Sequence, residues 1–442
     1  MLDEILKKYG YSEEQIDKIK NSKMLRTLKA ESLEKNVEEI FSYLKQLGYI
    51  KKEVISITSK SPIIFALKKE NIASKIDNFV SMGYDFSSVL KMISKFPEIL
   101  GYSKDSLDKK KEYLKSLGYS DSKILKFTYL RPQIYGYSIS SMEKKIKDIE
   151  SLGYTRSQVL KLISSGYLLF SLSFNAIKEK IDSLIQYGYS LEQVKKITLL
   201  SPEIFGLRAS SIIVKLNEIE KLGFSCDDVI KMTVKTPAIF GYDVKTIKDK
   251  MLQLESMGYD SSEVLRIIGK FSDIFSYSIK TIEDKINFLK SLGYSSSQVK
   301  TMSLRYPSIF STSLESIKKK INDLKDLGYS DNDIREMTAF VPSLFGVTIE
   351  NIKEKVSFLE SVGLKSLTVV NPNYLLPSVD LIYARYRYLT CEHGMDITIE
   401  NSKYMFVPEC RFNKLFGIEK SVLLERYSYD EEVRRDVSKK KK

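Results

Sequence analysis

An all-α solenoid of about ten 35-residue repeats is the fold that the sequence predicts, and three observations predict it. Glycines stand at Gly48, Gly83, Gly118, Gly153, Gly188, Gly223, Gly258, Gly293, Gly328 and Gly363, nine steps of 35 without an insertion. Prolines keep the same step at Pro62, Pro97, Pro132, Pro202, Pro237, Pro307, Pro342 and Pro377, with Tyr167 and Ser272 in the slots where the series breaks. Between these marks apolar residues recur at helical spacing. A unit of this size cannot bury its apolar face alone, so neighbours must stack. The handedness of the superhelix stays open.

Each unit reads as helix, short 3-10-like turn, helix. Before each glycine, apolar residues sit eleven, seven, four and one positions back, as in Ile177, Ile181, Leu184 and Tyr187 before Gly188. That spacing makes one stripe on a helix. The glycine falls where a helix end needs a left-handed residue. The aromatic after it (Tyr84, Tyr119, Tyr154, Phe224, Tyr294) is expected to fold back on the last turn. A capping box then opens the next helix: Thr155 with Gln158, Ser190 with Gln193, Asp260 with Glu263, Ser295 with Gln298. A β-branched residue six after the glycine, such as Val194 or Val229, starts the second stripe. The proline ends that helix, because it has no donor and disfavours helix in the residue before it. A short apolar turn follows, as in Pro202-Glu203-Ile204-Phe205.

Along the chain this predicts a degenerate N-terminal capping repeat over 1–46, opened by Gly10, and a repeat solenoid over 47–376. C-terminal capping helices over 377–428 and a basic disordered tail over 429–442, ending in Lys439 to Lys442, complete the expectation. Residues number 442, more than one compact core usually holds. Hydrophobic residues at 43% and charged residues at 29% exclude wholesale disorder.

Several function classes lack raw material. Cys226, Cys391 and Cys410 are too few for a disulfide framework, and one histidine, His393, leaves zinc sites and His triads unsupplied. Cys391-Glu392-His393-Gly394 reads as a helix end rather than a nucleophile pair. No glycine-rich phosphate loop or paired carboxylate stands out. The expectation is therefore no catalytic residue, no metal, no cofactor and no enzymatic activity. No run of eighteen apolar residues occurs, so no membrane partner is expected. The start Met1-Leu2-Asp3-Glu4 is wrong for a secretory or transit signal. It points to a bacterial cytoplasm, or to a mitochondrion if a targeting segment has been removed. A monomer is expected.

The unit Leu-Gly-Tyr-Ser, then Val-Leu-Lys-Met-Ile, then Pro-x-Ile-Phe, then Ile-x-x-Lys-Ile-x-x-Leu resembles the repeat of the mitochondrial transcription termination factor (mTERF) family, over residues 47 to 390. Pentatricopeptide repeats share the period but lack the mid-unit Pro-x-Ile-Phe turn. The segment from Leu381 to Leu389 is also similar to that family's basic, aromatic helix after the last repeat. The resemblance implies a curved solenoid whose basic groove holds nucleic acid, duplex DNA above structured RNA, in transcription termination or another step of gene expression. The alternative is a protein-binding solenoid scaffold.

Candidate contacts follow from the cations. Eight before each glycine from Gly83 to Gly363 stands a lysine: Lys75, Lys110, Lys145, Lys180, Lys215, Lys250, Lys285, Lys320 and Lys355. The position lies at the edge of the apolar stripe, so stacked units would align the ammonium groups about 10 Å apart. Such a ladder fits a phosphate backbone; equally, each stem would cover the core margin while its head meets a carboxylate or a helix end. A second series eight after the glycine, Lys91, Lys126, Lys161, Lys196, Lys231 and Arg266, reads as a solvated face. Basic residues before the proline, Lys60, Lys95, Arg131, Lys235, Lys270 and Arg305, vary between units as a sequence-reading edge would, and loop solubility accounts for them equally. Arg385 and Arg387, interleaved with Tyr383, Tyr386 and Tyr388, suit phosphate clamping and base stacking, or capping of the last core. Net charge is +13, and residues 51–200 hold 25 basic against 15 acidic side chains. The N-terminal half should dominate the field.

Overall fold

In a computed structural model of the chain, residues 2–22, 25, 30–165, 169–431, 433, 434 and 437 are described. Tyr167 and the run Lys439 to Lys442 lie outside them. The described residues form helices and 3-10 turns without a strand. The chain divides into two compact units, Met1–Leu216 and Asn217–Lys442, a boundary that the uniform 35-residue step does not announce.

One module of the first unit shows how the sequence builds all of them. Ser173 caps the helix Phe174–Tyr187 by accepting from the Ala176 N–H. Ile177, Ile181 and Leu184 are its buried stripe. Gly188 ends it at φ +126°, a conformation in which a side chain would be strained. Ser190 and Gln193 form the capping box of the second helix, Leu191–Leu200, and bury Val194 and Ile197. Pro202 then opens the 3-10 turn Pro202–Gly206, which buries Ile204 and Phe205. The other expected capping boxes at Thr155, Asp260 and Ser295 are formed as well.

A proline is not needed for the turn. In the second unit Ser272 occupies its slot, fully buried, and the turn Ser272–Ser276 keeps the same form. The Ser272 hydroxyl bonds the Thr236 hydroxyl at 2.6 Å.

The aromatic after the glycine does more than fold back. Its hydroxyl reaches the second helix of the following module. Tyr11 meets Thr58 at 2.6 Å, Tyr154 meets Thr198 at 2.8 Å, and Tyr84 meets Thr128. In the second unit Tyr259 meets Ser303 at 2.7 Å, Tyr294 meets Thr338 at 2.6 Å and Tyr329 meets Thr368 at 2.7 Å. Where the receiving position is Ile93 or Ile163, the hydroxyl of Tyr49 or Tyr119 donates to the Leu90 or Leu160 carbonyl instead. Phe224, which has no hydroxyl, falls in register with Ile268, which could not receive one.

Two expectations change at the C-terminal end. Pro377 does not open a turn. Gly363 is followed by a four-residue helix, Leu367–Val370, and the turn starts at Pro372. The last second helix is therefore cut short by Pro372, and Pro377 precedes Ser378, the N-cap of Val379–Cys391. The expected disordered tail begins instead with an ordered residue: Tyr429 is buried, its ring 5.3 Å from Tyr383 and 6.0 Å from Phe358. It helps to close a terminal core built by Val379–Cys391, Glu409–Phe416 and Lys420–Arg426.

The tyrosine lock predicts a measurable cost. Tyr154→Phe removes one buried hydrogen bond and should lower stability by about 1 kcal/mol, read by thermal or urea unfolding.

Candidate nucleic-acid interface

Within each unit the ladder lysines recur once per module, but their ammonium groups point into the protein. Lys75 donates to the Tyr102 carbonyl, Lys145 to Leu172, Lys250 to Tyr277 at 2.5 Å, Lys285 to Thr312 and Lys320 to Val347. Each acceptor is the residue immediately before the N-cap of the next long helix. Lys110 reaches the Tyr135 carbonyl inside the turn and stands 4.4 Å from the Tyr102 ring. Lys355 donates to Leu375 at 2.6 Å and is 1% exposed. Lys180 departs from the pattern, bonding the Ala176 carbonyl of its own helix at 2.9 Å. Lys215 is half-buried and also engaged.

This arrangement corrects the phosphate-tracking expectation for the ladder. A 3-10 turn leaves carbonyls at its C-terminal end without helical partners. A lysine stem long enough to cross the module margin supplies a charged donor there. Burial pushes the pKa of Lys75, Lys110, Lys145, Lys250, Lys285 and Lys320 down, and that of Lys355 down to about 8.

The remaining expected contacts divide. Arg385 is 3% exposed; its guanidinium donates to the Met405 and Val407 carbonyls at 3.1 and 2.6 Å and lies 4.4 Å from the Phe412 ring. It clamps the terminal core rather than a phosphate, which corrects its sequence assignment. Arg387, two residues on, is exposed. Lys95 is exposed, donating to the Tyr129 carbonyl at 3.2 Å with its ammonium 4.5 Å over that ring. Arg131 is exposed. Cys391 is exposed, and His393 packs edge-on against Tyr388 and Phe416 rather than beside a base. Among the described residues no cluster of metal-binding side chains occurs, and no helix is long and apolar enough to cross a membrane.

The free cations lie elsewhere, on the face read from sequence as merely solvated. Lys91, Lys126, Lys161 and Lys196 are exposed in four consecutive modules of the first unit, without a side-chain partner among the described residues. In each unit the second helices of successive modules pack directly against one another. Residues in one register therefore stand side by side, about 10 Å apart. Four residues further on the same helical face come Lys60, Lys95, Leu130 and Leu200. The first unit holds 36 basic and 25 acidic side chains, eleven of the chain's +13.

In the second unit the same face is partly spent. Lys231 and Arg266 are exposed in the first register, but the row stops at Thr301 and Glu336. The pre-proline cations cap their neighbours: Lys235 donates to the Lys270 carbonyl at 2.5 Å, Lys270 to Leu304 at 3.3 Å and Arg305 to Phe340 at 2.6 Å. Cations at helix C-termini complement the dipole.

Helix–glycine–helix–turn modules stacked in this way define a helical-repeat protein with a basic face. A sequence model of the mTERF family matches residues 4–149, 112–217, 140–274, 208–323 and 254–412. These matches overlap along most of the chain, which belongs to the mTERF family. That family is one of nucleic-acid-binding helical-repeat proteins involved in transcription regulation. No curated protein matches the chain.

The buried end of the lysine ladder carries a pH signature. Native Lys355 gives up its proton near pH 8, whereas the unfolded chain keeps it to about pH 10. Between these values the unfolded state binds more protons, so stability from this group rises with pH. Relative to Lys355→Met, the natural protein should gain thermal stability from pH 7.5 to pH 10.

Proposed function

We propose that the protein binds nucleic acid, duplex DNA in preference to structured RNA, along the second-helix face of its first unit, and that it acts in transcription termination or the regulation of gene expression. The observation that carries this reading is the row Lys91, Lys126, Lys161 and Lys196, exposed, unpartnered and repeated once per module. At about 10 Å per module and 3.4 Å of duplex axis per phosphate of one strand, successive modules stand roughly three base pairs apart along the duplex. Phosphate contacts give affinity and register without reading bases. Lys60, Lys95 and Arg131 flank the row at the helix ends, where residue identity changes from module to module.

Salt titration tests it. Changing Lys126, Lys161 and Lys196 together to Gln should weaken duplex binding and flatten the plot of log K against log salt by about 2 to 3 units. Lys285→Met, in the internal row, should leave that slope unchanged. An unchanged slope in the triple variant would overturn the assignment. Competition between duplex DNA and duplex RNA of one sequence decides the preferred strand type.

A protein partner is the second reading, and one observation favours it. Leu130 and Leu200 of the first unit, and Phe340 and Val370 of the second, stand exposed in the pre-proline register. A scaffold would retain a protein partner at a salt concentration that abolishes duplex binding, and would lose it on Leu130→Ser with Leu200→Ser.

A further inference from the structure

A basic cavity of about 730 Å³ opens at the N-terminal end of the first unit, between the helices Glu13–Lys20 and Lys51–Lys60. Lys18, Lys51, Lys52 and Lys60 line it, all exposed and none with a carboxylate partner among the described residues; Glu14 is the one acid on its wall. Lys51 is drawn over the backbone at Gly10: a Cβ built on that glycine would lie 3.1 Å from the lysine Nζ. Four like charges gathered on one concave wall repel each other, a cost that an anion would remove.

A second observation is independent of charge. Ser59 lines the same cavity, is 8% exposed, and its hydroxyl has no hydrogen-bond partner. An alternative was at hand: Thr58, the neighbouring residue, bonds back to the Val54 carbonyl of its helix at 2.8 Å. Leaving a buried hydroxyl without a partner is destabilising. The hydroxyl is a donor suited to an anionic oxygen. Among the described residues Ile55 is the only large apolar side chain on the wall.

We propose that this cavity is a binding site for a phosphate-bearing ligand of nucleotide size, with Lys18, Lys51, Lys52 and Lys60 neutralising the phosphates and Ser59 donating to one of their oxygens. The volume lies in the range of small-molecule sites. The site shares Lys60 with the edge of the strand-binding face but uses none of Lys91, Lys126, Lys161 and Lys196, and Lys18 and Lys51 belong to the cavity alone, so either assignment stands if the other fails.

Calorimetric titration of the full-length protein with pyrophosphate and with ATP tests the proposal. One saturable site per chain is expected. Lys18→Ala with Lys51→Ala should weaken it at least tenfold. Ser59→Ala should weaken it about fivefold while the thermal midpoint of the free protein stays unchanged or rises; a purely structural serine would do the reverse. Displacement of pyrophosphate by ATP alone assigns the site to a free nucleotide. Displacement by a 5′-phosphorylated oligonucleotide, but not by its unphosphorylated form, assigns it to a strand end. The absence of saturable binding by either probe, equal displacement by both oligonucleotides, or natural affinity in the double lysine variant would each overturn it.

Discussion

A lysine ammonium held on a backbone carbonyl, once per module, is the contact on which the architecture of each unit depends. In five modules it binds the residue just before the next long helix, as Lys285 does at Thr312 and Lys250 at Tyr277. That places a charged donor at the joint where one module hands the chain to the next. Burying an ammonium is costly unless it is hydrogen-bonded; the exposed carbonyls of a 3-10 turn provide acceptors that a helix interior would not. The tyrosine after the glycine reaches the second helix of the following module, as Tyr294 does to Thr338. One lock fixes the joint and the other fixes the row.

Function follows from this division. Cations turned inward maintain geometry, and cations turned outward are left for a partner. Lys110 and Lys126 belong to consecutive helices of one module, yet one is buried on a carbonyl while the other meets only solvent. Because second helices pack directly on one another, an outward lysine recurring every 35 residues becomes a line of charge. The first unit, with most of the chain's net charge, carries that line from Lys91 to Lys196; in the second unit it stops after Arg266, at Thr301 and Glu336.

Much of the fold was legible in the residues. Period, glycine ends, capping boxes and the post-proline turn follow from backbone rules that act locally, so Ser190, Gln193, Gly188 and Pro202 announce their own roles. Side-chain destinations were less legible. Angular position places the ladder lysines at the edge of the stripe, but whether a flexible stem turns out to solvent or across to the next joint depends on a carbonyl, which leaves no mark in the sequence. Arg385 is the same case, buried by a core that assembles only from distant segments. The tyrosine lock did have a signal: Thr58, Thr128, Thr198 and Thr338 stand ten after their glycines, and Ile268 takes that place opposite Phe224. Pro377 kept the step by coincidence while Pro372 broke the helix.

Lysine acylation read by mass spectrometry, with and without duplex DNA, tests the division of the cations most directly. Lys110, Lys250, Lys285, Lys320 and Lys355 should resist modification in the free protein and show no change on adding the duplex. Lys91, Lys126, Lys161 and Lys196 should react quickly and become protected. Rapid modification of the first set, suppressed by the duplex while the second set stays reactive, would contradict the account.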